Sequence, residues 1–199
     1  MSDRPVMCID PGIAHLGVGI VARFGAKLDL VDSEHIDTPP DEDADDRERR
    51  IWLRLATIAK EYRPAIVGYE CQRGVNVGAR MNAKRAIAAA QRGEQGPTLG
   101  FGANNDLVFE VVGIVKAVCW SYGATLFRYT AQQAKIGVLG KGEGHADKKR
   151  VRDRIRVYFP GYEQLMRREL DLNECDAIAG AIHVERVTFM QQKRIRRTG

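Results

Sequence analysis

The chain has 199 residues, 44% hydrophobic and 29% charged, with 20 glycines and 7 prolines, a balance that fits one compact domain with a two- or three-layer core. Lys plus Arg number 31 against 26 Asp plus Glu, a formal charge of +5, and ten of the acids lie between Asp29 and Glu48 with Arg47 the lone base among them, so the remainder is distinctly basic and suits a polyanionic partner such as nucleic acid. Cys8, Cys71, Cys119 and Cys175 form no Cys-x-x-Cys pair, and neither a basic-then-apolar leader nor a run of about 18 apolar residues occurs, which argues against a disulfide scaffold, a zinc module and a membrane span and leads to an expectation of the reducing cytoplasm.

Val6 to Asp10 is a short apolar run stopped by Pro11-Gly12, and Leu16 to Val21 is a second, so the chain opens with two strands joined by a tight loop. Lys27 to Ile36 alternates loosely and predicts a third, edge-like strand. Beyond Pro39-Pro40 the acids crowd the start of a helix whose apolar face is Ile51, Trp52, Leu55, Ile58 and Ala59, and which ends before Pro64. That distribution suits the helix dipole and gives the acidic cluster a structural purpose. Ala65 to Tyr69 is a buried fourth strand with Glu70 at its end.

A Gly-rich, basic stretch follows from Cys71 to Asn104, with a predicted helix near Arg80 to Arg92 and a loop from Gly93 to Asn104. Asn105 to Tyr122 carries a broad apolar stripe and predicts a core helix, and Ala124 to Tyr129 a fifth strand. A short helix, a Gly-rich loop from Gly140 to Gly144, a charged helix from about Ala146 to Tyr158 and a last helix from about Asn173 to Met190 complete the order. The class is α/β: a sheet layered with helices, read as one domain over 1–199 with a basic tail at about 191–199.

Asp10 ends the first strand, Glu70 ends the fourth, and Asp176 sits at the start of the last helix. If strands one and four are neighbours, these acids meet at one sheet edge. Like charges a few ångströms apart repel, and hard divalent cations such as Mg²⁺ or Mn²⁺ resolve that repulsion; two such ions can drive displacement at phosphorus. Each acid also has an ordinary reading. Asp10-Pro11-Gly12 is good turn chemistry, Glu70 can be a solvated residue after a strand, and Asn173 with Asp176 reads as a helix N-cap with an acid three residues on. His15, His35, His145 and His183 show no metal-ligand spacing.

Met7 to Gly12 with Gly17 to Val21 resembles the opening of RuvC-type Holliday junction resolvases, in which an apolar strand ends in Asp-Pro-Gly and the next carries a Gly-x-Gly pattern. Ile66 to Glu70 is similar to that family's second acidic motif, and Asp176-Ala177 with the small apolar residues after it to its final helix. Thr130 to Lys135 and Gly140 to Lys149 are similar to its basic segment. The resemblance implies an RNase H-like fold, a five-stranded mixed sheet flanked by helices. It implies a homodimeric, Mg²⁺-dependent endonuclease that nicks two symmetric strands of a four-way DNA junction, with two ions per site and Mn²⁺ able to substitute.

By position, Asp10, Glu70 and Asp176 become the catalytic metal ligands and Asn173 the fourth, where the family usually has Asp or His. Asp171 and Glu174 are possible substitutes; Glu174, two positions from Asp176, points away from it on a regular helix. The loop after Glu70 has Cys71-Gln72-Arg73-Gly74, without the aromatic wedge of some relatives. Arg73, Arg80, Lys84, Arg85, Lys135, Lys141, Lys148 and Lys149 are the expected phosphate-binding residues. The Gly140-Lys141-Gly142 loop fails the phosphate-loop pattern, so no nucleotide cofactor is expected. Two other functions share this chemistry or this surface: a ribonuclease H-like nuclease on RNA/DNA hybrids, and a catalytically weak protein that binds branched DNA.

Overall fold

The computed structural model describes residues 4–71, 92 and 103–198. The predicted helix near Arg80 to Arg92 lies outside them except for Arg92, as does the Gly93 to Asn104 loop except for its last two residues, which are helical. Strands β1 (Val6–Asp10), β2 (His15–Phe24), β3 (Lys27–Asp37), β4 (Ile66–Glu70) and β5 (Thr125–Tyr129) form a five-stranded sheet in the order β3-β2-β1-β4-β5. β1 pairs antiparallel with β2, and β2 with β3, whereas β1, β4 and β5 run parallel. The sheet is therefore mixed, and β1 and β4 are the neighbours that the acidic residues need.

Among the described residues the helices are α1 (Ala44–Tyr62), α2 (Ala103–Ser121), α3 (Ala131–Leu139), α4 (Lys148–Tyr158), α5 (Tyr162–Met166) and α6 (Leu172–Thr198). Alternation along β1 decides which helices cover which face. Met7 and Ile9 point into a core with Ile51, Leu55 and Ile58 of α1 and Val111, Val115 and Val118 of α2. Val6 and Cys8 point the other way, into a core with α3, α4 and the Ile178–Ile182 stretch of α6. A sheet buried on both faces explains why its central strands read as unbroken apolar runs.

The acids ahead of Ile51 act largely as expected. Asp43 caps α1 by accepting from the Asp45 N–H, Asp45 and Asp46 lie in its first turn, and Glu34 forks onto Arg54 at 2.5 and 2.6 Å. Two features depart from expectation. The last helix does not end near Met190 but continues to Thr198, so the basic tail is an extension of α6 built from Gln, Lys and Arg, all good helix formers. The five-residue α5 is too short to leave a period in the sequence; it starts after Gly161 in the left-handed region, at φ 87°.

Two glycines let α6 lie directly on β2. A Cβ on Gly17 would overlap the backbone carbonyl of Asn173, and one on Gly19 would come within 2.5 Å of the Ile178 nitrogen. Neither obstacle is a side chain that can swing aside, so backbone would have to move. Gly19→Ala is expected to destabilise the fold by about 1–3 kcal/mol or more, read as a lower denaturant midpoint. Gly113→Ala, on an exposed helical position with nothing within 4 Å of the added carbon, is expected to raise the midpoint, by about 0.5–1 kcal/mol.

Candidate active site

Asp10 and Glu70 end parallel neighbours whose register runs from Val6 opposite Ile66 to Ile9 opposite Tyr69, so the two acids leave the sheet side by side. On its other side Asp10 pairs with Gly17, the residue pressed against Asn173 at the start of α6. The third acid, Asp176, follows one helical turn after Asn173. Strand register and a glycine contact thus deliver three acids far apart in sequence to one end of the sheet.

Their charges are felt mutually. Burial first, and then the Asp176 charge, pushes the Asp10 carboxyl up to about 6, although Lys148 opposes the rise. Burial followed by the charges of Asp10 and Asp176 raises Glu70 to about 7, against Lys148 and Lys135. Lys148, the first residue of α4, is held 2.6 Å from Asp176 Oδ2 and donates to Asn173 Oδ1 at 3.3 Å. Burial pulls its ammonium down, but the hydrogen bond to Asp176 and the charges of Asp10 and Glu70 outweigh that, and the net shift is upward. Beneath the site the buried Tyr129 hydroxyl donates to the Ile9 carbonyl at 3.2 Å.

The N-terminus of α6 is set two residues earlier than the Asn173 N-cap reading places it. Asp171 is the capping residue: its carboxylate accepts from the Asn173 N–H at 2.7 Å, and Glu174 reaches back to the Asp171 N–H at 2.9 Å. This is a reciprocal capping box. It leaves the Asn173 side chain free to face Lys148. Glu174, considered as a substitute ligand, is fully buried on the other side, where Arg168 grips both of its oxygens at 2.6 Å and the Ser33 hydroxyl donates at 3.1 Å. It fastens α6 to β3 and does not join the acids.

A comparison with known proteins decides the family. The family model described as "Crossover junction endodeoxyribonuclease RuvC" matches residues 6–96. The protein of that name from Citrifermentans bemidjiense is 31% identical over 153 residues, covering 76% of this chain and 77% of its own length. The chain belongs to the RuvC family. The Thermus thermophilus RuvC structure superposes with a TM-score of 0.68 at 26% identity, covering 94% of this chain and 96% of that one. T. thermophilus RuvC in complex with Holliday junction substrate gives 0.66 at 28% identity, covering 90% and 92%.

The basic residues expected around a RuvC-family site fall into three groups. Arg73, Arg80, Lys84 and Arg85 lie outside the described residues. Lys141 and Lys149 are exposed. Lys135 and Lys148 face the acids, but Lys135 also donates to the Ala146 carbonyl at 2.6 Å, tying down the loop that leads into α4. Cys8 and Cys175 are buried packing residues, and burial pushes the Cys175 thiol up to about 12. The histidines hold a correction: His15 and His35, which lack ligand spacing in the sequence, are brought together with Asp37 by the β2–β3 pairing. Only the hairpin register could have revealed it.

Two predictions follow from these charges. Glu70 binds its proton more tightly folded than unfolded, so its contribution to stability is lost as pH rises from its ordinary 4.5 through about 7. In EDTA, Glu70→Gln should therefore melt at the wild-type temperature near pH 4.5 and several degrees higher at pH 8, a gain on the order of 1–3 kcal/mol. Arg168→Ala, which strands the buried Glu174 carboxylate, is expected to cost about 3–5 kcal/mol. Combining it with Glu174→Leu should recover part of that loss in the same unfolding assay.

Proposed function

We propose that this chain is a structure-specific endodeoxyribonuclease that resolves four-way DNA junctions in the cytoplasm, acting as a homodimer of single nuclease domains spanning residues 1–199. The observation that carries this reading is the charge coupling of Asp10, Glu70 and Asp176 at one sheet end, beside Lys148. It occurs in a chain whose family is named for junction cleavage. A junction has near two-fold symmetry, so paired cuts need paired sites.

The donor set fits a hard divalent cation. It consists of carboxylate and amide oxygens, the preference of Mg²⁺ and Mn²⁺, and burial first, then the neighbouring acids, raises Asp10 and Glu70 despite the opposing charges of Lys148 and Lys135. Asp10, Glu70 and Asp176, with Asn173 as the fourth ligand, are proposed to hold two Mg²⁺ ions, which Mn²⁺ can replace. When bound, these ions supply Lewis-acid stabilisation of the charge that develops on the phosphate during hydrolysis.

The chain's own residues set the geometry for that chemistry. Lys148 carries a point charge into the carboxylate cluster, where it serves both to offset the acids and to take a phosphate oxygen of the scissile strand. Lys135, through the Ala146 carbonyl, fixes the approach to α4 and hence the place at which Lys148 emerges. Lys141 and Lys149, exposed on the same stretch, and Arg73, Arg80, Lys84 and Arg85 after β4 are proposed to bind DNA phosphates further along the junction arms.

The test is cleavage of a synthetic four-way junction, a flap, an RNA/DNA hybrid and plain duplex DNA, side by side, with Mg²⁺. The junction should be cut in preference, with paired symmetric nicks. Asp10→Asn and Asp176→Asn should lose at least about a hundredfold in rate, since even outer partners of metal ligands commonly cost 10–100-fold, while still retarding the junction in a gel. Preferential cutting of the hybrid would make the chain a ribonuclease H-like enzyme. Binding without product in either Mg²⁺ or Mn²⁺ would make it a junction-binding protein.

A further inference from the structure

The start of β2 and the end of β3 hold a second group of metal-ligating side chains, outside the carboxylate cluster. Register pairs His15 with Asp37 and Gly17 with His35, so His15, His35 and Asp37 emerge on one face of the sheet, the face that carries Gly17 and is covered by α6. One nitrogen from each imidazole and one carboxylate oxygen lie within 4.8 Å of one another. His15 Nδ1 is 2.6 Å and His35 Nε2 3.2 Å from Asp37 Oδ1, and the ring centroids are 5.5 Å apart.

Two further observations give the group a direction. The Nε2 atom of His35 is buried and, although it is 3.2 Å from Asp37 Oδ1, makes no hydrogen bond, a state that usually has a reason when it occurs in a folded protein. Its other nitrogen, Nδ1, faces Asp171 Oδ1 at 3.6 Å. A carboxylate behind the far nitrogen of an imidazole is the usual support of a metal-bound histidine, because it fixes the tautomer and the ring orientation. Asp37 lies beside Nε2 and Asp171 beside Nδ1.

We propose that His15, His35 and Asp37 form a binding site for a divalent transition-metal ion of the zinc class, with the remaining coordination position open to solvent. Two imidazole nitrogens and one carboxylate oxygen are a ligand set that suits Zn²⁺, whereas the oxygen-only donors around Asp10 suit Mg²⁺, so the two sites sort their metals by ligand type. The ion ties the open end of the β2–β3 hairpin together. Through His35 it also bears on Asp171, whose carboxylate caps α6 at the Asn173 N–H. The site therefore reaches the helix that carries Asp176 without contributing a ligand to the carboxylate cluster. It stands whether or not the chain cleaves junctions.

The experiment is titration of the metal-free full-length chain with Zn²⁺, followed by the ring nitrogen resonances of its histidines in NMR and by calorimetry. One equivalent is expected to shift the His15 and His35 resonances, in the wild type and equally in Asp10→Asn. His15→Ala is expected to weaken that binding at least tenfold while melting like the wild type in EDTA, because the His15 side chain is 64% exposed; His35→Ala and Asp37→Asn should weaken it likewise. Co²⁺ as a spectroscopic probe should give the intense visible bands of a low-coordinate site with nitrogen ligands. Zn²⁺ that leaves His15 and His35 unshifted, binds His15→Ala with unchanged affinity, or fails to bind Asp10→Asn would overturn the assignment.

Discussion

The arrangement rests on the close approach of α6 to β2. A helix that covers a sheet is ordinarily held off it by side chains from both elements. Here Gly17 and Gly19 remove that spacer and put helix backbone against strand backbone. Gly17 is also the cross-strand partner of Asp10, so the contact that seats the helix is one strand away from the first acid. Asp176 comes to Asp10 and Glu70 because there is no side chain between α6 and the strand beside β1.

Bringing three acids together costs stability, and the chain offsets only part of that cost. Lys148 supplies a positive charge from α4, and Lys135 a second at longer range. Burial first, and the neighbouring acids after it, hold the Asp10 and Glu70 carboxyls at about 6 and about 7. Such a pocket is poised for a cation stronger than an ammonium group. The same helix end separates its acids by role: Asp171 and Glu174 satisfy the backbone and Arg168, while Asn173 and Asp176 turn to Lys148. Spacing around the helix, and not residue type, decides which acid serves structure and which serves the site.

Much of this was legible in the sequence, for reasons that differ from residue to residue. Central strands buried on both faces leave apolar runs, so β1 and β4 could be read closely, and acids at their ends followed directly. Asp176 was legible through the family resemblance, since no local pattern reveals which strand ends a distant helix will meet. The cap was misplaced by two residues because Asn173 and Asp171 are both good caps, and only the Arg168–Glu174 pairing discriminates between them. The His15–His35–Asp37 group was invisible because its members are joined by hairpin register, which a bulge between Ile20 and Val21 shifts midway. The α6 extension past Met190 lacks an apolar stripe to announce it.

Catalytic groups commonly ride on loops, where they can loosen while the scaffold stays intact. Asp176, proposed as a metal ligand, instead rides on α6, which lines the core with Ile178 and Ile182, is fastened to β3 by Arg168–Glu174, and is joined to β2 by Arg23, which forks onto Glu185 and stacks on Phe189. Among the described residues, the elements that carry Asp10, Glu70 and Asp176 all belong to the core. Heat should therefore extinguish the enzyme in a single cooperative event, with the half-life of its chemistry set by the unfolding rate of the whole molecule.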